Sequence, residues 1–150
     1  MKKIILIISA IVLTGLTQAF AGEIKDINKR AVESFSKDFA EAKNVKWEQD
    51  KQYAKATFSI NDQVLFAYYG NENGELIAVT RNILSDRLPI TLMTSFRKNY
   101  SDYWISGLFE IASSQGQTNY YLTLENTCET LILESNGSNG WSIYKKEKKQ

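Results

Sequence analysis

The chain has 150 residues, 18 basic and 17 acidic, a net charge of +1, one cysteine and no histidine. The near balance of charge gives no nucleic-acid footprint. A lone Cys128 excludes an intrachain disulfide, and the missing histidine excludes Ser-His-Asp and Cys-His catalysis and zinc held by Cys and His.

Lys2 and Lys3 precede an apolar run, Ile4–Leu16, that is shorter than the about 20 residues a bilayer crossing needs. Ala19-Phe20-Ala21 places small residues where a signal peptidase reads. Residues 1–21 are therefore expected to be a signal peptide cleaved after Ala21, with a mature chain from Gly22. No cysteine lies beside the site, which leaves no lipoprotein anchor. The style of signal suggests bacterial export, to the periplasm or beyond, with no membrane span after cleavage. The mature chain, 22–150, is one domain's worth, and about 130 residues bury well over half of the unfolded surface without disulfides or metal.

Ile27, Ala31, Phe35 and Phe39 recur every four residues, with Ile24 and Val32 on the same stripe, and predict an amphipathic helix over 24–42. The period then changes to two. Short strands are expected at 44–47, 53–60, 64–69 and 75–80, the last two joined through G-N-E-N-G (70–74). Leu88, Leu92, Phe96 and Tyr100 repeat the helical stripe at a constant offset from the first, and Pro89 suits the first turn of that helix. Strands are again expected at 103–111, 119–125 and 129–134, then a turn, N-G-S-N-G (136–140), and a last strand at 141–145. Asn73-Gly74 and Asn139-Gly140 match, and Asn-Gly is the strongest short hairpin signal. The chain thus reads as a tandem repeat, about 24–83 and 84–145, followed by a short basic tail, K-K-E-K-K, expected to be solvated and frayed. The predicted fold class is α+β. Two copies of a helix plus four antiparallel strands form one open eight-stranded antiparallel sheet with two helices on one face.

The segment V-E-S-F-S-K-D-F-A-E-A-K-N-V-K-W, with Ile27, Val32, Phe35, Phe39, Ala42, Val45 and Trp47, resembles the opening of the PepSY-like domains of exported bacterial proteins. L-P-I-T-L-M-T-S-F-R-K-N-Y is similar to that family's Leu-Pro…Tyr segment at Leu88, Pro89 and Tyr100. Ala40 and Asn28 stand where the family often has proline. The resemblance spans about 24–145. It implies two α+β repeats sharing one sheet, as in the β-lactamase inhibitory protein, and little about activity. That inhibitor carries disulfides and this chain cannot, so inhibition of a β-lactamase is not carried over.

Candidate chemistry is sparse. Cys128 beside Glu129 lacks an electropositive neighbour and reads as an incidental thiol. G-N-E-N-G fails as a calcium loop at its first and last ligand positions and reads as a turn. Glu110, Glu125, Glu129 and Glu134 lie on or beside strands, where a wetted sheet face explains them. No cofactor, metal or catalytic group is expected, and the chain does not read as an enzyme.

Strand parity places Val45, Trp47, Ala54, Ala56, Phe58, Leu65, Ala67, Ile77 and Val79 toward the helices, with Ile105, Phe109, Ile111, Tyr120, Leu122, Leu124, Leu131, Leu133 and Ile143 from the second half. Lys55, Phe66, Tyr68, Trp104, Leu108, Tyr121, Ile132 and Tyr144 then face away. Three uses of that aromatic face compete: anchors for a protein or peptide of the cell envelope, stacking platforms for a saccharide, or cross-strand pairs that only stabilise the sheet. The favoured expectation is a non-enzymatic binding module, inhibitor-like in kind, with Phe66, Tyr68, Trp104 and Tyr121 as the binding residues. The alternative is an envelope glycan-binding or glycan-hydrolysing protein that uses the strand carboxylates.

Overall fold

Asn28 opens the first helix. Its side-chain oxygen accepts the Arg30 N–H at 2.9 Å, which satisfies one of the amides that a helix start leaves unpaired. The computed structural model describes residues 27–149, so the predicted signal segment and its cleavage site lie outside the described residues. Helix α1 runs Lys29–Asp38 and helix α2 Ile90–Asn99, both shorter than their apolar stripes suggest. Each ends the same way. Phe39 and Tyr100 leave helical geometry, and their N–H groups bond back to the carbonyls of Phe35 and Phe96.

Strands β1 (Lys43–Gln49), β2 (Tyr53–Ile60), β3 (Gln63–Gly70) and β4 (Leu76–Asn82) follow α1. After a 3-10 turn at Ser85–Arg87 and helix α2 come β5 (Trp104–Ser113), β6 (Thr118–Glu125), β7 (Glu129–Ser135) and β8 (Ser142–Lys148). The eight strands form one antiparallel sheet in sequence order. The chain divides into two compact units after Thr80, and each has its own core.

In the first unit, Ala31 and Phe35 of α1 pack on Ala54, Ala56, Phe58, Ala67 and Tyr69. The strands offer small alanines, and the volume is filled by rings. Phe35 meets Phe39, Trp47 and Phe58 at centroid distances of 5.4, 5.4 and 5.0 Å. Burying a ring as fully as Phe35 or Phe58 contributes about 1.5–3 kcal/mol. In the second unit Leu92 of α2 packs on Leu108, Leu122, Leu124, Leu131 and Leu133. Here the fully buried bulk is leucine, and Met93, Phe96 and Tyr100 of the helix side pack against it. Trp141 ties the last turn to α2, its indole N–H donating to the Leu92 carbonyl at 3.0 Å.

Bulges change which residues face the helices. A register shift at Tyr68/Tyr69 puts Leu76, not Ile77, in the first core. A shift between Ile105 and Gly107 inverts β5 beyond it. Leu108 therefore joins the second core, while Phe109 and Ile111 pair with Tyr121 and Asn119 on the opposite face. Val45 sits beside the β1 irregularity and is exposed, as are Val32 and Ile143. The basic tail is not frayed at Lys145–Lys148, which belong to β8, and the Lys149 N–H bonds to the Cys128 carbonyl at 2.8 Å.

Candidate binding face

The outer face of the first unit is built on β2 and β3. Alternation along β3 puts Phe66 and Tyr68 on it together, as expected. They differ in access. Tyr68 is only 5% exposed, its ring edge-on to Tyr53 at 5.2 Å and its hydroxyl hydrogen-bonded with Thr80. Burial pushes the Tyr68 hydroxyl up to about 12. Phe66 is half-buried, and the Lys55 ammonium lies 5.4 Å above its ring. Lys55 is held there by Glu48 on the neighbouring strand, at 2.6 Å.

The second unit carries the other two candidates. Tyr121 is 3% exposed, stacked on Phe109 at 5.3 Å and edge-on to Tyr144 at 5.6 Å. Its hydroxyl donates to Glu134 at 3.4 Å, and burial first, then the Glu134 charge, raises it to about 12. Trp104 is 52% exposed. It pairs with Glu125, four residues along β6 from Tyr121, so the two rings stand roughly 13 Å apart along the sheet. The Lys149 ammonium lies 5.1 Å over the Trp104 ring and 2.8 Å from Glu125. That hydrogen bond holds the Glu125 carboxyl below the usual carboxylate range.

All four candidates thus lie on the outward face of their own unit. Tyr68 and Tyr121 are covered by their cross-strand neighbours, whereas Trp104 and, partly, Phe66 are accessible. Sequence reasoning missed the clamps, in which a lysine rests on each accessible ring and a carboxylate fixes the lysine. Lys55 was legible on the outward parity. Lys149 was not, because it lies in a stretch whose composition reads as a frayed end.

The strand carboxylates are all engaged within the second unit. Glu110 pairs with Arg81, Glu125 with Lys149, and Glu134 accepts from Tyr121. Glu129 accepts from Lys146 at 2.7 Å and from the Tyr103 hydroxyl; these bonds lower its carboxyl, and the Tyr103 hydroxyl rises in turn. Among the described residues no group of three or more His, Cys, Asp or Glu side chains could hold a metal ion. A polar recess is lined by Asn119, Glu134, Asn136, Asn139, Trp141 and Ser142.

No protein-family model and no curated protein matches the sequence. Solved structures do match. A DUF2874 family protein from Bacteroides ovatus superposes with a TM-score of 0.72 at 17% identity, covering 83% of this chain and 89% of that one. A BLIP-like protein from Bacteroides fragilis does so with a TM-score of 0.69 at 15% identity, over 84% and 89%. A Bacteroides eggerthii protein, whose periplasmic location is itself an inference, gives 0.72 at 13% identity, over 83% and 90%. At these identities the likeness shows the fold: this chain has the fold of the DUF2874 and BLIP-like structures. No helix among the described residues is long and apolar enough to cross a membrane.

Proposed function

We propose that this protein is an exported, non-enzymatic module of the PepSY-like kind that binds a protein or peptide of the cell envelope through the outward sheet face, in an inhibitor-like manner. The observation that carries the reading is Trp104. It is a large ring, half exposed on a rigid strand, with its orientation restricted by the Lys149–Glu125 clamp. Rings fixed in this way offer contact area at low entropic cost, and Trp is enriched among interface hot spots. Phe66 under Lys55 and Glu48 repeats the arrangement in the first unit. Tyr68 and Tyr121 share the outward face with them and are packed against Tyr53 and against Phe109 and Tyr144. The BLIP-like neighbour, and the neighbour whose periplasmic location is inferred, fit the reading at a coarse level.

The test selects binders from a displayed random-peptide library and from envelope extract with the wild-type protein. Their affinities are then measured for Trp104→Ala, Phe66→Ala and the double variant. The expected loss is roughly 1–3 kcal/mol for Trp104→Ala, with thermal stability little changed. Binding by the double variant as tight as wild type would remove the outward face from the reading. Mass spectrometry of the exported protein should find an N-terminus at or near Gly22, and retention of residues 1–21 would reject the export step.

A further inference from the structure

We infer that Asn139 is a site of spontaneous deamidation, and that the fold singles it out from two other Asn-Gly pairs. The chain holds three such pairs, Asn73-Gly74, Asn136-Gly137 and Asn139-Gly140. In each the following glycine leaves the backbone nitrogen unhindered by a Cβ. That nitrogen, once deprotonated, attacks the asparagine Cγ. A C–N bond closes a five-membered imide, and the side-chain nitrogen leaves as ammonia. Water then opens either carbonyl of the imide, giving aspartate or isoaspartate. No other reactant is needed.

The reaction requires a side chain free to swing onto the next amide and an amide free to lose its proton. Two of the pairs are held on both counts. The Asn73 amide group donates to Glu75 at 2.7 Å and its oxygen accepts the Glu75 N–H at 3.1 Å, while the Gly74 N–H is bonded to the Gly70 carbonyl at 2.8 Å. Asn136 accepts the Ser138 N–H, and the Gly137 N–H donates to the Ser135 hydroxyl, both at 3.1 Å. Asn139 is exposed, and among the described residues neither its side chain nor the Gly140 N–H has a hydrogen-bond partner. Asn139 also lines the recess that holds Glu134, so its conversion adds a second carboxylate to that rim.

The experiment incubates the whole protein, folded, at mildly alkaline pH in heavy-oxygen water. Peptide mapping with fragment-ion assignment then follows each asparagine. Two lost hydrogen bonds predict deamidation at Asn139 roughly ten- to thirtyfold faster than at Asn73 or Asn136. In concentrated urea the three rates should converge. Comparable rates at the three sites in the folded protein would overturn the inference, as would a ranking that persists unchanged after unfolding. Glu75→Ala, which frees one end of Asn73, should speed conversion at Asn73 and leave Asn139 unaffected; no acceleration at Asn73 would count against hydrogen bonding as the control.

Discussion

Replacing Gly74 by alanine should cost far more than replacing Gly140, although the two residues occupy the same turn of the two repeats. Both sit in left-handed backbone, with φ of +70° and +78°. A Cβ there costs roughly 1–2 kcal/mol in strain. The stiffer unfolded chain returns about 0.4–1 kcal/mol. At Gly140 little else changes, since the nearest non-neighbour atom to a new Cβ is the Ser95 hydroxyl at 3.8 Å, so the net loss should be about 1 kcal/mol. At Gly74 the Cβ would lie 2.5 Å from the Arg30 Cβ and 2.7 Å from the Ala31 nitrogen and Arg30 carbonyl carbon. Backbone cannot swing aside, so α1 must lift from the turn. Overpacking of this kind adds roughly 1–3 kcal/mol. The shift also stretches the 2.7 Å bond from the Asn28 amide group to the Asn71 carbonyl, worth about 1 kcal/mol. The total for Gly74→Ala is roughly 3–5 kcal/mol. Urea unfolding followed by circular dichroism, with both midpoint and slope fitted, measures the difference. Equal losses at the two glycines would refute the close approach of α1 to the first turn. Gly140→Asn, a residue that tolerates left-handed backbone, should be milder still than Gly140→Ala.

Phe35→Ala should destabilise by ~3–5 kcal/mol in the same assay, because Phe35 is 5% exposed among four rings; Phe96→Ala should cost less, since Phe96 is only partly buried. Trp141→Phe keeps most of the ring but removes the bond to Leu92, and should lose about 1 kcal/mol with faster hydrogen exchange in α2. Tyr68 and Tyr121 each have a hydroxyl raised from 10.0 to about 12 by burial, so the neutral form is favoured in the fold. Their contribution is fully present below pH 10 and is lost as pH rises toward 12, so stability should fall across that interval. Phenolate absorbance should show both residues ionising later than exposed tyrosines, and Tyr68→Phe should flatten part of the slope.

The repeat, the helix positions and the Asn-Gly turns were legible because each leaves a local mark: a change of period, a capping residue, a turn dipeptide. Bulges leave no such mark. One inserted residue at Ser106 inverts every later side chain on β5, which is why Phe109 and Leu108 exchange faces. The candidate rings were placed on the right parity, but their exposure depends on register. Tyr121 is covered because Phe109 pairs directly with it, and Tyr68 because Tyr53 reaches it from the neighbouring strand. The Lys149 clamp was hidden for a different reason. Its partners lie 24 and 45 positions away, at Glu125 and Trp104, and nothing in K-K-E-K-K announces them.

The two cores share a plan but fill it with different shapes, rings among alanines in one and leucines in the other. A tandem repeat with interchangeable halves offers the emerging chain a wrong solution, in which the helix of one copy seats on the strands of its sibling. Here that error is self-limiting. Phe35 and Phe39 brought onto Leu122 and Leu133, or Leu92 brought among Ala56, Phe58, Ala67 and Tyr69, should pack less well than the native pairs. Divergence between the copies should therefore favour the seating of each helix on the strands of its own copy, the first of which is synthesised before the second.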